Sequence, residues 1–295
     1  MSGQLVILNE LLRLAVRPRL ATVTKPGEAR RDFDLFSQFF LRLASDVTHT
    51  VEPGRPPLHR FSPGAVKGSH VIMYFHGGGY MAGSPRTHAA LAGALARASG
   101  CEVVLPDYRL APENPAPAAL EDACAAHANV LDRVGAPDRI VLGGDSAGGG
   151  LALSLLADLC ARGERPAAAF AFSPWVDMTL SGASLRENAD TEAYLPANRM
   201  ELARDLVIGS LAPEDPRVSP LFAAFEAPPP VQIHVGRSEI LRDDARAMAE
   251  HLRNAGGQVE LDERPEVPHA WPIFCGYVPE ADETVASVAR FLGRA

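Results

Sequence analysis

Apolar residues follow two different periods along this chain. Short unbroken runs, "HVIMYF" (70–75), "EVVLP" (102–106), "RIVLG" (139–143), "AAFAF" (168–172) and "VQIHV" (231–235), are bounded by Gly, Pro and Asp and predict buried strands. Between them, "RTHAALAGALARAS", "APAALEDACAAHANVLDRV" and "AGGGLALSLLADLCARG" repeat apolar residues at i, i+3 and i+4 and predict helices. "RDDARAMAEHLRNAGG" closes on glycines, as a helix end should. A last strand-like run, "QVELDE", precedes a terminal helix, "ADETVASVARFLGR". Strands that are apolar throughout, joined by crossover helices, predict an α/β fold with a mostly parallel central sheet and helices on both faces.

Two regions break the alternation. Residues 1–45 carry two amphipathic helical patterns, "LVILNELLRLAV" and "FDLFSQFFLRLA", before the sheet begins. Residues 185–217 interpose a helix and turns between two strand regions. The two are read together as a helical cap across the C-terminal edge of the sheet, a lid over a pocket rather than decoration. The expected division is therefore cap helices in 1–45 and a catalytic domain in 46–295, with 185–217 as a cap insertion.

Composition narrows the classes. With 47% hydrophobic and 22% charged residues over 295 positions, the chain is globular and long enough for one large α/β domain with an appended lid. A net charge of −8 and the lack of any basic stripe argue against a nucleic-acid partner. The N-terminal stretch "MSGQLVILNELLRLAVRPRL" has no charged leader, pure apolar core or cleavage site. No run reaches the roughly 18 apolar residues that a membrane span needs. Cys101, Cys124, Cys160 and Cys275 are far apart with no CxxC spacing, and are expected to be buried free thiols rather than disulfides or metal ligands. A cytoplasmic protein with no metal, cofactor or membrane partner is the expectation.

The chemistry concentrates at "VLGGDSAGGG", where the strand "RIV" meets the helix "LALSLLADLC". Gly144-Asp145-Ser146-Ala147-Gly148 fits G-x-S-x-G, a serine on a strained strand-to-helix turn. Small residues are needed two positions before and after it, because strand and helix backbones nearly touch there. The turn lifts the Ser146 hydroxyl above the sheet, and the helix N-terminus favours negative charge developing nearby. A serine hydroxyl is a weak nucleophile until a base takes its proton. In the order serine, acid, histidine, the base comes late, which selects His269 in "ERPEVPHAWPIF". The acid is expected after "VQIHVG", among Glu239, Asp243 and Asp244 of "GRSEILRDDA". Glu239 lies nearest the end of the strand and is the first candidate; Asp243 is the second, since both aspartates fall into the following helix.

"YFHGGGYMAG" (74–83) then acquires a purpose. Acyl transfer passes through a tetrahedral oxyanion that backbone N–H donors stabilise, each worth roughly 3 kcal/mol. Gly77, Gly78 and Gly79 are candidates for these donors, together with the N–H of Ala147. His76 is expected to anchor the loop by hydrogen bonds.

These stretches together resemble the hormone-sensitive lipase family, which includes the bacterial family IV esterases. The resemblance runs through "YFHGGGYMAGS", "DYRLAPENPAPAALEDA" (107–123), "GDSAGGGLA", "SPWVDMTLSGAS" (173–184), "DPRVSPLFA" (215–223), "EILRDDA" and "PHAW". It implies an α/β-hydrolase fold, a lid built partly from the N-terminus, and cofactor-independent hydrolysis of short-acyl carboxylic esters. By the same resemblance Ser146 is the nucleophile, His269 the base, and Gly77, Gly78, Gly79 and Ala147 the oxyanion hole. The family's acid register, D-P-L-x-D, reads Glu239-Ile240-Leu241-Arg242-Asp243 here, so glutamate stands at its first position. Arg109 and Glu113 are expected to organise the loop beneath the site.

The sequence thus predicts a serine carboxylesterase for short- to medium-chain acyl esters of small molecules. A lactone or acetyl-ester hydrolase of one metabolite, a peptidase or amidase using the same three residues, and a non-catalytic receptor on the same fold are the alternatives. Phe36, Phe39, Phe40 and Leu206 in the lid suggest a modest acyl pocket rather than that of a long-chain lipase. An exposed edge strand near the C-terminus offers a surface on which a homodimer can form, and the oligomeric state stays open.

Overall fold

The computed structural model describes residues 1–23 and 25–294. Its strands are β1 (Val47–Glu52), β2 (Leu58–Pro63), β3 (Val71–Phe75), β4 (Glu102–Pro106), β5 (Ile140–Asp145), β6 (Ala168–Phe172), β7 (Val231–Gly236) and β8 (Val259–Arg264). They form one eight-stranded sheet in the order β1-β2-β4-β3-β5-β6-β7-β8. Strands β3 to β8 pair in parallel, while β1 and β2 pair antiparallel and β2 joins β4 antiparallel. The parallel part is the sheet expected from the unbroken apolar runs, and its C-terminal ends all open on one edge.

The helices are α1 (Gly3–Leu11), α2 (Arg17–Thr22), α3 (Pro26–Phe40), α4 (Ala89–Ser99), α5 (Ala118–Val134), α6 (Ala147–Ala161), α7 (Ser184–Glu187), α8 (Met200–Ile208), α9 (Arg242–Asn254) and α10 (Pro279–Leu292). A π-helical turn, Leu12–Val16, links α1 to α2. Among the described residues no helix is long and apolar enough to cross a membrane.

Two cores explain why the parallel strands β3 to β7 are buried almost throughout, whereas the edge strand β8, "VELDER", is only partly covered. Val71, Met73 and Phe75 of β3 pack towards α5, α6 and α9, with Leu151, Leu155 and Met248. Ile72 and Tyr74, between them in sequence, pack on the other face with Leu91, Leu95, Val285 and Val288 of α4 and α10. Alternating side chains point to opposite faces, and both faces are covered. Helix α6 is buried on nearly every side, which accounts for its nearly continuous apolar sequence.

The β1–β2 hairpin is not visible in the apolar pattern. Val47 is the one buried residue of β1, and only Leu58 and Phe61 are buried in β2, so the signal that marks a two-sided strand is missing. The second N-terminal pattern also shifts: α3 starts at Pro26, a favoured first helical residue, and stops at Phe40, where Leu41 leaves helical geometry. Phe39 and Phe40 are 66% and 54% exposed, so they do not build the acyl pocket as expected. Phe36 turns inward, its ring centroid 6.3 Å from that of Phe274.

The packing of α6 predicts a measurable cost. Leu155 is fully buried between helix and sheet. Leu155→Ala is expected to lower unfolding stability by about 3 kcal/mol, read as a shifted urea midpoint with an unchanged m-value.

Candidate active site

The site lies where β3, β5, β7 and β8 end, as expected for an open parallel sheet. Ser146 stands between β5 and α6 with φ 54° and ψ −124°, a strained conformation for a residue with a side chain. Its backbone is pinned on both sides: its N–H donates to Phe172 O at 2.8 Å, and its carbonyl accepts from Gly150 and Trp175 at 3.0 Å each. The glycines around it are required by contact. A Cβ on Gly144 would strike the Gly148 backbone, and one on Gly148 would strike the carbonyls of Phe75 and His76. Ala147 opens α6, so its N–H has no acceptor within the helix.

His269, in the loop after β8, places Nδ1 2.8 Å from Glu239 Oε2. Both side chains are buried. Nδ1–H donating to the carboxylate leaves Nε2 as the acceptor, the tautomer assigned by this hydrogen bond. Glu239 Oε1 accepts from Ser173 Oγ at 2.8 Å and from the Gly236 N–H at 2.5 Å. Ser173 Oγ also accepts from the Ala270 N–H at 3.1 Å, linking the acid to the backbone beside the histidine. Burial pushes the His269 imidazolium down, but the Glu239 hydrogen bond and the charges of Glu239, Glu192 and Asp145 outweigh it and hold the group above its ordinary value.

Asp243, the second candidate acid, does not meet His269. It lies in the first turn of α9, where its Oδ2 accepts from the Ser184 N–H at 2.8 Å and its Oδ1 pairs with Arg242 at 3.0 Å. Asp244 is buried elsewhere, accepting from the N–H groups of Val176 and Asp177 at 3.0 and 3.1 Å, and burial raises it to about 8.

The three glycines after β3 divide unequally. Gly78 and Gly79 line the same cavity as Ser146 and His269, and among the described residues their N–H groups meet no acceptor. Gly77 departs from the expectation for a donor: its N–H is already used, 3.0 Å from Asp145 Oδ1 and 3.3 Å from His88 Nε2. A Cβ there would also strike the Asp145 carboxylate. Asp145, the residue before Ser146, further accepts from the Tyr74 hydroxyl at 2.8 Å. Burial would raise the Asp145 carboxyl, yet His88 and the Tyr74 hydroxyl hold it below its usual range. His76 anchors the loop as expected, with Nδ1 2.9 Å from Gly77 O. Burial, with His88 nearby, lowers His76 to about 3, so it is a neutral donor.

The cavity has a volume of about 540 Å³ and apolar walls drawn from both irregular regions, including Leu12, Phe33 and Phe36 from one and Leu195, Leu202 and Leu206 from the other. Arg30 of α3 fastens the first region down, donating to Met81 O at 2.7 Å and Ala111 O at 2.8 Å and pairing with Glu113. Arg109 pairs instead with Asp122 and Glu121, away from the cavity. Arg30, Asp145 and Ser173 escaped the sequence reading as site-forming groups; their partners are distant in sequence and leave no periodic trace. Among the described residues no three His, Cys, Asp or Glu side chains are grouped to hold a metal ion.

A serine and an imidazole lining one apolar cavity, a carboxylate on the far nitrogen of that imidazole, and the backbone N–H groups of Gly78 and Gly79 on the same cavity form a constellation suited to acyl transfer. Comparisons with known proteins agree with this. A family model described as the alpha/beta hydrolase fold matches residues 72–273. An acetyl-hydrolase of Streptomyces hygroscopicus is 34% identical over 293 residues, covering 99% of this chain and 96% of that protein. An esterase of Acinetobacter venetianus is 33% identical and covers 76% of this chain and 74% of its own. A solved esterase from the bacterial hormone-sensitive lipase family matches with a TM-score of 0.93 at 34% identity, covering 100% of this chain and 98% of that one. The chain belongs to the α/β-hydrolase family, within its bacterial hormone-sensitive lipase group.

The bridge at Ser173 gives a second prediction. Ser173→Ala leaves a buried Glu239 oxygen and the Ala270 N–H each short of a partner. The variant is expected to lose about 2 kcal/mol of stability in urea unfolding.

Proposed function

We propose that the chain is a serine carboxylesterase acting on short- to medium-chain acyl esters. Its class, an ester hydrolase of the α/β-hydrolase family, follows from its relatives. The finer reading is carried by one observation: Ser146, His269, Gly78 and Gly79 all line a single apolar cavity. Ser146 Oγ attacks the ester carbonyl as His269 Nε2 takes its proton, and Glu239 stabilises the imidazolium that forms. The N–H groups of Gly78, Gly79 and Ala147 receive the oxyanion, while Gly77 serves the loop's own structure through Asp145. His269 then protonates the leaving alkoxide, and a water activated by the same imidazole releases the acid from Ser146.

The cavity volume suits a small ligand, and its apolar walls suit an acyl chain. A narrower reading, hydrolysis of acetyl esters, is favoured by the acetyl-hydrolase that matches almost the whole chain. A p-nitrophenyl ester series separates the two. The wider reading expects a maximum between butyrate and octanoate and a fall beyond about ten carbons. A maximum at acetate supports the narrower one, and a steady rise with length overturns both.

Ser146→Ala tests the chemistry directly. It is expected to cut kcat for p-nitrophenyl butyrate by about 10⁴-fold or more while leaving the thermal transition in place. Wild-type turnover by that variant would refute Ser146 as nucleophile.

A further inference from the structure

The turn that bears Glu239 is held from outside by residues 184–194, a stretch read from sequence only as the start of a lid. Asn188 spends both amide protons on it, donating from Nδ2 to Arg237 O at 3.0 Å and to Glu239 O at 2.8 Å. Ser184 Oγ donates to Ile240 O at 2.8 Å, and Thr191 Oγ1 lies 3.2 Å from Asn188 O and 3.4 Å from Ser238 O. The carbonyls of Arg237, Glu239 and Ile240 thus each accept a hydrogen bond from this stretch. In return the Ile240 N–H donates to Glu192 Oε2 at 3.2 Å.

Glu192 has no evident business there as a mere spacer. It is 1% exposed, and its second oxygen accepts from the Tyr194 N–H at 2.9 Å. The Tyr194 ring lies 6.1 Å from the His269 ring, centroid to centroid, and lines the cavity. A buried carboxylate is costly unless hydrogen bonds and opposite charge compensate it. Both Glu192 oxygens accept backbone N–H groups, which suits the ionised form. The cationic partner within reach is His269 once it is protonated.

We propose that Asn188 and Glu192 are positioning residues for the reaction: Asn188 fixes the turn that presents Glu239, and Glu192 sets a second negative charge behind the His269 imidazolium. The inference rests on the roles proposed above for Ser146, His269 and Glu239. Burial raises the Glu192 carboxyl, Glu239 adds to the rise, and His269 opposes it together with the N–H groups of Tyr194 and Ile240. Seen from His269, the charged groups that face it are Glu239, Glu192 and Asp145, and all three favour the protonated ring against the effect of burial. The Tyr194 phenol, which burial raises to about 12, stays neutral beside them.

The test is the pH profile of kcat/KM for p-nitrophenyl butyrate, measured on the full chain with thermal unfolding alongside. Free His269 must be neutral to act as base, so the acid limb reports its protonation. Removing the Glu192 charge makes the imidazolium less favourable, and the ring stays neutral to lower pH. Glu192→Gln is therefore expected to move the acid limb down by about one pH unit. Glu192→Asp, which keeps the charge but withdraws it by one methylene, is expected to fall between the two, and it decides the matter if the glutamine variant does not fold. Asn188→Ala is expected to lower kcat about tenfold, with KM within about twofold and the limb unmoved. A Glu192 variant that folds with its limb at the wild-type position, or Asn188→Ala with wild-type kcat, overturns the inference. Failure of the underlying reading looks different: it shows as full turnover by Ser146→Ala.

Discussion

Everything at the site depends on how closely one strand and one helix can cross. Strand β5 runs into α6 with only Ser146 between them, and Gly144 and Gly148 meet backbone to backbone. That contact forces Ser146 into a conformation that costs about 1–3 kcal/mol for a residue with a side chain. The strain persists because the neighbours over-determine it. Phe172 holds the serine N–H, Trp175 and Gly150 hold its carbonyl, and α6 is sunk in the core along its length. A serine at an ordinary helix start would lie flat against its own first turn. Here Ser146 lines the cavity, with α6 starting at the next residue.

Around that crossing the electrostatics are arranged in two buried layers. Asp145 meets Gly77 of the glycine loop, together with Tyr74 and His88, and accepts the Gly77 N–H. Glu239 sits behind His269 with Ser173 and Gly236. Among the described residues neither carboxylate pairs with an arginine or lysine: Asp145 meets the Tyr74 hydroxyl, the Gly77 N–H and His88, and Glu239 meets the Ser173 hydroxyl, the Gly236 N–H and His269. A fixed cation near His269 would oppose the imidazolium that the proposed reaction must form, whereas hydroxyl and N–H donors steady the carboxylate without that penalty.

Much of the fold was legible because its strands are buried on both faces, which writes an unbroken apolar run into the sequence. The hairpin β1–β2 was not, since only one face of it is covered. Among the candidate site residues, Ser146 announces itself by a motif whose every small position has a steric cause, and His269 and Glu239 by their place after particular strands. The separate fate of Gly77 could not be read, because it turns on an acceptor 68 residues away. Asn188 and Glu192 were invisible for the same reason. Their partners lie 48–51 residues on, and the segment carrying them has no periodicity to show that it grips anything. Phe39 and Phe40 misled in the opposite sense: an aromatic cluster on a helix suggests a buried wall, yet α3 ends there and leaves both rings in solvent.

The cavity walls come from two stretches that differ in what else they do. Residues 184–194 grip the turn carrying Glu239, so a change there reaches the carboxylate paired with His269. The N-terminal region supplies Leu12, Phe33 and Phe36 to the wall; Arg30 ties it down at Met81 and Ala111, and Arg13 and Arg17 donate to the carbonyls of Thr191 and Ala189 in that same stretch. Divergence within this architecture therefore has a route through single wall side chains: changes at Leu12, Phe33 or Phe36, whose side chains form no hydrogen bonds, re-shape the cavity and leave the turn carrying Glu239 in place. The later segment is held to its sequence by the bonds it makes, and is the poorer place from which to evolve a new substrate.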